Sequence, residues 1–230
     1  MRTEPRVSVI VPVYNGESHV AEALRSVVRQ QGPSLEVIAV DDGSTDGSAD
    51  AIRSVPGVRY VLREHGGVAT ARNEGLRLAA GELIAFCDQD DRYAPGKLAA
   101  QYAFLEEHPN VACVMGRQQI FFDDGVGRPP WLHEDTVYGD PGGVLLLSGL
   151  FRRSVFKTVG GFDPAIRGSD DFDLLMRAKA VGLRLEVLDR VVIYRRIHAG
   201  NASHEPGLLQ RGTLLAIRKH MLERRQGDQK

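Results

Sequence analysis

Cysteine is scarce in this chain, and neither sign of charge is in excess. The 230 residues include only Cys87 and Cys113, which are too few for a disulfide framework, and no cysteine–histidine spacing is typical of structural zinc. The 29 basic and 30 acidic side chains leave a formal net charge of −1, so no overall positive field would attract nucleic acid. We therefore expect neither a disulfide-stabilised scaffold nor a nucleic-acid-binding protein.

Long apolar runs are also absent. No stretch is long and apolar enough to span a bilayer, and the N-terminal residues have no apolar core typical of a signal peptide. Hydrophobic residues make up 43% of the chain and charged residues 26%, which is ordinary for a globular protein. We expect a cytoplasmic protein whose length allows one large α/β domain or two small domains.

The first hundred residues alternate between strand and helix patterns. Apolar and β-branched runs predict four strands, at Val7–Val13, Leu35–Val40, Val58–Leu62 and Leu83–Phe86. Pro12 has no backbone N–H to donate, so we expect it to mark the end of the first strand. Apolar residues at helical spacing lie between the strands, and the connections are short. This alternation predicts an α/β fold with a parallel sheet built from right-handed βαβ units.

The middle of the chain has a weaker pattern. Val111–Met115 and Gln118–Phe122 predict two strands, which we interpret as an antiparallel extension of the sheet. Residues 123–143 are rich in glycine, proline and aspartate and predict a long loop that could act as a lid. Within this loop, Trp131 and His133 either contact a substrate or serve in packing.

Further elements are predicted towards the C-terminus. Phe151–Phe156 is expected to lead into a helix, and Leu185–Leu188 and Val191–Tyr194 are expected to form late strands. A last helix is predicted over Leu208–Arg225, and it ends in a basic stretch. That stretch is either a solvated helix end or a peripheral contact with anionic lipid.

Three carboxylates, Asp88, Asp90 and Asp91, follow the fourth predicted strand. In open α/β sheets, ligands bind outside the carboxyl ends of the strands. Three neighbouring negative charges are unfavourable without a cation, so we predict a divalent metal with hard oxygen ligands, shared with a phosphate. The alternative is a solvated acidic turn, because aspartate is common in loops.

Three other features are candidate parts of a site. Asp41, at the tip of the second strand, could accept a hydrogen bond from a nucleobase imide or a ribose hydroxyl. The glycine pair at 66–67 opens a helix and could bind phosphate, and Arg72 within that helix could reach a pyrophosphate, orient Asp88 or simply be solvated. A second acidic cluster, 170–173, begins a helix, and a capping role explains only one of its three carboxylates.

Six short motifs occur together in one order. They are Pro12-Val13-Tyr14-Asn15, Val40-Asp41-Asp42-Gly43-Ser44-Thr45-Asp46, Ala71-Arg72-Asn73-Glu74-Gly75, Asp88-Gln89-Asp90-Asp91, Gly160-Gly161-Phe162-Asp163 and Asp170-Asp171-Phe172-Asp173-Leu174. Each motif is modest alone, but the set resembles family 2 glycosyltransferases of the GT-A fold over roughly residues 5 to 200. The resemblance implies a mostly parallel central sheet flanked by helices.

The resemblance also implies a division of the chain. One GT-A domain over 1–230 would comprise a Rossmann-like, nucleotide-sugar-binding half (about 1–115), an acceptor-binding and catalytic half (about 116–205), and a C-terminal helix and tail (about 206–230). The implied activity is inverting transfer of a sugar from a nucleoside-diphosphate sugar to an acceptor hydroxyl. The expected donor is a UDP-sugar. The acceptor would be a glycan, a lipid-linked molecule or a small molecule.

Residue roles follow from the same resemblance. It assigns to nucleotide binding the residues Pro12, Tyr14, Glu17, Asp41, Arg72, Asp88 and Gln89, with Asp88 near the ribose. Asp90 and the late His198 would bind the metal, Mn²⁺ or Mg²⁺, and the histidine suits Mn²⁺ better. Asp171 corresponds to the general base. Asp170 completes the catalytic pair but replaces the family's usual glutamate, which could alter acceptor contacts.

Three other classes of protein remain as rivals. A dinucleotide dehydrogenase needs G-x-G-x-x-G after a strand, which is absent. A nucleotidyltransferase should have a basic, glycine-rich stretch after the first strand, where residues 14–17 contain neither lysine nor arginine. A non-catalytic nucleotide-sugar-binding module of the same fold is the alternative that the motifs leave open.

Overall fold

The computed structural model describes residues 5–128, 146–201 and 206–227. These residues form a single sheet of eight strands, which are β1 (Val7–Val13), β2 (Leu35–Asp41), β3 (Val58–Leu62), β4 (Leu83–Phe86), β5 (Arg92–Tyr93), β6 (Cys113–Phe122), β7 (Leu150–Arg152) and β8 (Leu185–Ile197). The strand order is β3-β2-β1-β4-β7-β6-β8-β5. The first four strands in this order are mutually parallel, which confirms the predicted α/β architecture.

Helices connect most of these strands. They are α1 (Val20–Val28), α2 (Ser48–Arg53), α3 (Val68–Leu78), α4 (Lys97–Glu107), α5 (Ser154–Val159), α6 (Asp170–Ala180) and α7 (Pro206–Gly227), with a 3₁₀ turn at Leu146–Ser148. None of the helices in the described part of the chain has both the length and the apolar character of a membrane span.

Alternate residues of β1 contribute to two apolar layers, one on each face of the sheet. Val9 and Val11 pack in the layer that includes Leu24 of α1, whereas Ile10 packs in the layer that includes Ala71 of α3. Successive side chains of a strand point to opposite faces, so a central strand must be apolar on both. This is why β1 reads as a continuous apolar run. Pro12 lies one residue before the strand's end, not at it, and pairs in register with Val40.

The second half of the sheet differs from the prediction. The two predicted strands at 111–122 are one strand, β6, which is parallel to β8 and antiparallel only to β7. Its register shifts on either side of Arg117, so a bulge, not a turn, separates the two apolar segments. Likewise β8 continues through Asp189 and Arg190, which interrupt its apolar pattern.

Two further predictions concern the region around 123–156. Leu150–Arg152 is a strand, antiparallel to β4, so the expected helix begins only at Ser154. The predicted loop at 123–143 falls largely outside the described residues, as do Trp131 and His133.

A buried lysine on α4 holds the 3₁₀ turn that precedes β7. The Lys97 ammonium donates to Gln101 Oε1 at 2.8 Å and to the Ser148 carbonyl at 2.9 Å. Its complete burial lowers the pKa of Lys97 to about 7, because a charged amine is poorly solvated there. The Gln101 amide also donates to Ser148, at 2.7 Å. The segment that enters β7 is therefore fixed on α4.

Candidate active site

The turns after β1 and β2 lie side by side at the carboxyl edge of the sheet. Asn15 N donates to Ser44 Oγ at 3.0 Å, and Thr45 N donates to Asn15 Oδ1 at 2.8 Å. Glu17 Oε2 accepts a hydrogen bond from Gly47 N at 2.6 Å. Asn15 has a φ of 48°, a left-handed value that asparagine tolerates better than most residues. These bonds make the two turns one rigid wall.

The acidic residues after β4 form a compact cluster next to this wall. Asp88, Asp90 and Asp91 each offer a carboxylate oxygen, and these oxygens all lie within 4.8 Å of one another. Burial raises the pKa of Asp91 well above its usual range, and the negative charges of the other two raise it further. A cation at this position would remove the repulsion. The oxygen-rich donor set therefore fits a divalent metal ion.

The late histidine predicted as a metal ligand does lie beside this cluster. His198 Nε2 is 3.0 Å from Asp90 Oδ2, and Asn201 Nδ2 donates to the same oxygen at 3.0 Å. The ring of His19 lies against that of His198, with centroids 4.8 Å apart. Since the end of β8 brings His198 to Asp90 across 108 residues of chain, the fold assembles an imidazole and carboxylates at one point.

Arg196, two residues before His198, holds the cluster in place. Its backbone N–H donates to Asp91 Oδ1 at 2.9 Å, and its guanidinium donates to the carbonyl of Asp90 at 3.0 Å. The same guanidinium pairs with Glu22 of α1 and with Asp123. Because Asp91 is almost fully buried and bonded to this backbone, it supports the turn as well as contributing charge.

Arg72 joins the two acidic clusters of the sequence. Its Nη2 donates to Asp88 Oδ1 at 3.0 Å and its Nη1 donates to Asp170 Oδ2 at 2.8 Å. The guanidinium is buried and lies over the Phe162 ring, 5.4 Å from the centroid. One side chain thus fixes the start of α6 against the acids that follow β4.

The three carboxylates of α6 have different environments. Asp170 is bound by Arg72, and Asp173 accepts a hydrogen bond from Arg177 Nε at 2.8 Å. Asp171 accepts from the neighbouring Phe172 N at 2.8 Å, and no ion pair involving it is found among the described residues. It is partly exposed at the first turn of α6. Of the three, Asp171 is the carboxylate most available to an incoming molecule.

Two pKa shifts accompany this arrangement. Burial raises the pKa of Asp171, while the positive charge of Arg72 opposes that rise. Burial also raises the pKa of Asp88, with Arg72 again opposing and Asp90 adding to it. A carboxylate with a raised pKa binds a proton more readily, which is the property that a general base requires. The shifts of Asp88 and Asp171 both depend on Arg72, so the two acids share one electrostatic environment.

The residues predicted to bind the nucleotide lie in or next to the wall, in the acidic turn and, for Arg72, in α3, and several are bonded within the protein. Tyr14 is exposed, and its ring lies against that of His65 with centroids 4.1 Å apart. Gln89 accepts from Tyr14 N at 2.8 Å and donates to Tyr14 O at 3.1 Å. Gln89 therefore fastens the acidic turn to the end of β1. Its predicted contact with nucleotide remains a prediction.

Asp41 is more enclosed than the sequence implied. It is 1% exposed, and its oxygens accept hydrogen bonds from Ser44 N and the Tyr60 hydroxyl, both at 2.9 Å. Direct contact with a base would require one of these bonds to be replaced. The adjacent Asp42, for which no role was predicted, accepts from the N–H groups of Gly66 and Gly67 at 3.1 and 2.7 Å. It thereby fixes the glycine turn that begins α3.

The model of glycosyl transferase family 2 matches residues 8–162 of this chain. The chain belongs to this family. The match begins in β1, ends at Phe162, and includes the acidic turn and Arg72. It does not reach α6 or His198, so the roles predicted for Asp170, Asp171 and His198 stay predictions.

Two curated relatives and two solved structures add context. A putative teichuronic acid biosynthesis glycosyltransferase, TuaG of Bacillus subtilis, is 34% identical over 144 residues, which is 60% of this chain and 57% of TuaG. Chondroitin synthase of Pasteurella multocida is 25% identical over 212 residues, 86% of this chain and 21% of the synthase. This chain therefore spans less than two thirds of either relative.

The solved structures establish the fold. S. aureus TarS in complex with UDP-GlcNAc superposes with a TM-score of 0.71 at 24% identity, covering 92% of this chain and 65% of TarS. The mannosyltransferase PcManGT of Pyrobaculum calidifontis, in complex with GDP-Man and Mn²⁺, gives the same TM-score and identity and covers 96% and 65%. The GT-A fold expected from the resemblance is confirmed.

Several residues at this edge were not predicted. Asn201 lies three residues after His198 and bonds the same carboxylate, so a search for polar residues near that histidine would have found it. Arg196 stands in an arginine pair before His198, but its partners come from α1 and from the end of β6. His65 became significant only when the fold placed it against Tyr14.

Proposed function

We propose that this chain is an inverting glycosyltransferase that moves a sugar from a nucleoside-diphosphate sugar to an acceptor hydroxyl. The observation that carries the proposal is the arrangement around Arg72, which joins the acids after β4 to the first turn of α6. Among the residues that the structure describes, Asp171 has no ion pair of its own. This arrangement supports a donor on one side of Arg72 and an acceptor on the other.

The donor side would comprise the wall and the acidic turn. Tyr14 and His65 offer aromatic faces on which a base can stack, and Glu17, Asp41 and Gln89 hold the turns beside them. Pro12, in β1, would complete the nucleotide-binding set. Asp88 remains partly exposed and would lie near the ribose. UDP is proposed as the first choice because TarS was solved with UDP-GlcNAc, although PcManGT was solved with GDP-Man.

Asp90 and His198 would hold the divalent metal, with Asp88 and Asp91 completing the negative cluster. When bound, the metal would neutralise the charge that develops on the departing diphosphate. Imidazole ligation favours Mn²⁺ over Mg²⁺. Asn201, by donating to Asp90 Oδ2, would orient that carboxylate.

The acceptor side would begin at Asp171. The acceptor oxygen would form a bond to the anomeric carbon on the face opposite the diphosphate, while the bond from that carbon to the diphosphate oxygen breaks. Asp171 would take the hydroxyl proton as the oxygen attacks. A single displacement of this kind inverts the configuration at the anomeric carbon. We assign to Asp170 a positioning role, because its carboxylate is nearly fully buried and bonded to Arg72.

A glycan, a lipid-linked molecule and a small molecule all remain candidate acceptors, and a cytoplasmic location is retained from the sequence prediction. The names of TuaG and chondroitin synthase favour a saccharide polymer as the acceptor.

The test combines donor binding with product analysis. We expect one of UDP-, GDP- and dTDP-sugars to raise the melting temperature, and to do so only with Mn²⁺ or Mg²⁺, because a ligand that binds only the folded state stabilises it. The donor selected in this way is then incubated with candidate saccharides, and NMR should show an inverted anomeric centre. Retention of configuration would contradict the mechanism. Tight binding with neither transfer nor hydrolysis would favour the non-catalytic module.

A further inference from the structure

The C-terminal helix α7 presents apolar side chains to the outside. Leu214 and Met221 are 66% and 55% exposed, and Leu215 is 50% exposed. The opposite face, with Ala216 and His220, is buried and packs against α6. A helix on the surface of a globular protein normally turns its apolar residues inward, so this outward apolar face requires an explanation.

Charge on the same face is of one sign. Arg211, Leu214, Leu215 and Arg218 follow the i, i+3, i+4, i+7 spacing of one helix face, and both arginines are exposed. Residues 206–222 contain no aspartate or glutamate. Lys219, by contrast, donates from its amine to Asp163 Oδ2 at 2.7 Å, in the segment that precedes α6. Among the side chains of α7 that the structure describes, this face is therefore apolar at its centre and carries only arginine at its edges.

We propose that this face of α7 is a docking surface for a membrane that contains anionic lipid. Leucine and methionine side chains can enter the boundary between headgroups and acyl chains, while arginines on the same helix contact lipid phosphates. A second copy of the chain fits this face less well. A two-fold pairing would bring two identical cationic faces together, and the described side chains of the face include no acid to neutralise them.

Vesicle co-sedimentation of the whole chain tests the proposal without donor or acceptor. We expect binding to vesicles of phosphatidylcholine mixed with phosphatidylglycerol, weaker binding to phosphatidylcholine alone, and a decrease as salt is added. The double variant Leu214→Gln/Leu215→Gln should bind at least about tenfold more weakly, because it removes two apolar side chains that would enter the lipid layer on binding. Arg211→Gln/Arg218→Gln should lose about fivefold per arginine, and only with the anionic vesicles.

The matched control is Leu62→Gln on β3. Leu62 is 62% exposed, close to the value for Leu214, but lies on a different surface, so the variant should bind like the unaltered chain. Equal loss in Leu62→Gln, or no binding of the unaltered chain to either vesicle, would overturn the proposal. Self-association measured by sedimentation equilibrium, lost in the leucine double variant and unaccompanied by vesicle binding, would favour a second copy instead.

Circular dichroism of each variant verifies that it is folded, and all the altered side chains are exposed. The experiment needs neither nucleotide sugar nor turnover. Its failure would therefore leave the proposed transferase activity untouched, and loss of the transferase proposal would leave the docking surface untouched.

Discussion

The two acidic clusters look alike in sequence but differ in the structure. After β4, all three carboxylates have partners: Asp88 binds Arg72, Asp90 contacts His198, and Asp91 binds the backbone of Arg196. In α6, two carboxylates bind arginines, whereas no ion pair of Asp171 is found within the described part of the chain. The first cluster is built to concentrate negative charge at one point. The second uses two of its acids to hold the third in position.

In the proposed mechanism, this difference would separate a cation-binding role for the first cluster from a proton-accepting role for Asp171. Carboxylates fixed around one point suit a metal, because the ligands need little rearrangement when it binds. A carboxylate with a raised pKa and no cationic partner suits a base, because it can reach a hydroxyl and hold its proton. Arg72, which contacts both clusters, makes the two roles mutually dependent.

The largest effect is expected from disabling the first cluster. Removal of divalent metal with EDTA should reduce transfer to background, and Asp90→Asn should weaken metal binding about 10- to 100-fold. Calorimetric titration with Mn²⁺ measures the affinity directly. Asp163→Asn, which alters an acid outside the cluster, serves as the control. Unaltered Mn²⁺ affinity in Asp90→Asn would show that the metal binds elsewhere.

A large but smaller effect is expected from breaking the link between the clusters. Arg72→Gln leaves Asp170 buried without its cation and should lower kcat about 10- to 100-fold, because removing one partner of a buried ion pair costs several kcal/mol and displaces α6. If Arg72 instead contacts the diphosphate directly, the donor Kd should rise by the same factor. Steady-state kinetics together with nucleotide binding separate the two outcomes, and Arg77→Gln, on the same helix, is the control.

The pH dependence of kcat/KM tests whether Asp171 of the second cluster acts as the base. Burial raises the pKa of Asp171, and only the deprotonated form can accept a proton, so kcat/KM should rise with pH through a value above the usual aspartate pKa of about 4. Arg72 opposes the rise in the pKa of Asp171, so in Arg72→Gln the increase of kcat/KM should occur at still higher pH. The measurement is a pH–rate profile at saturating Mn²⁺. If the rise of kcat/KM occurs at the same pH in Arg72→Gln, the group that titrates is not Asp171.

The smallest effect is expected at the nucleotide wall. Tyr14→Ala should raise the donor Kd about tenfold, because stacking on a base contributes about 1–3 kcal/mol. The value of kcat should remain nearly unchanged, since the substitution removes the ring but keeps the backbone groups through which Tyr14 bonds to Gln89 of the acidic turn. Fluorescence titration with the nucleotide provides the measurement, and Tyr102→Ala is a control on the opposite part of the fold. A fall in kcat with unchanged donor Kd would show that Tyr14 does not contact the nucleotide base.

The parallel half of the fold could be predicted from sequence because its signals are local. β1, β2 and β4 are apolar runs whose period and length identify them, and the acids that follow them mark the edge. β8 was divided in two because Asp189 and Arg190 break its apolar pattern. Asp189 pairs with Arg117 of the neighbouring strand at 2.8 Å, and Arg190 donates to the Pro95 carbonyl at 3.1 Å. These partners are distant in the sequence, so the local pattern around Asp189 and Arg190 does not indicate that the strand continues through them.

The candidate site shows the same limit. The motif positions predict Asp90 and Asp171 as site residues. The residue that distinguishes Asp170 from Asp171 is Arg72 in α3, which bonds Asp170 from 98 residues away. A sequence of three acids cannot indicate which one is left unpaired. That distinction depends on Arg72 and Arg177, each placed by tertiary packing.

The most direct test of this account compares binding and turnover in Asp171→Asn. The account predicts that the donor binds with Mn²⁺ as in the unaltered chain, while transfer at saturating donor falls about 10²- to 10⁴-fold, since the base is lost and the first cluster is intact. Asp170→Glu, which keeps the charge beside Arg72, should retain most of the activity. Undiminished transfer by Asp171→Asn would contradict the assignment of the base, and with it the proposed division between the two clusters.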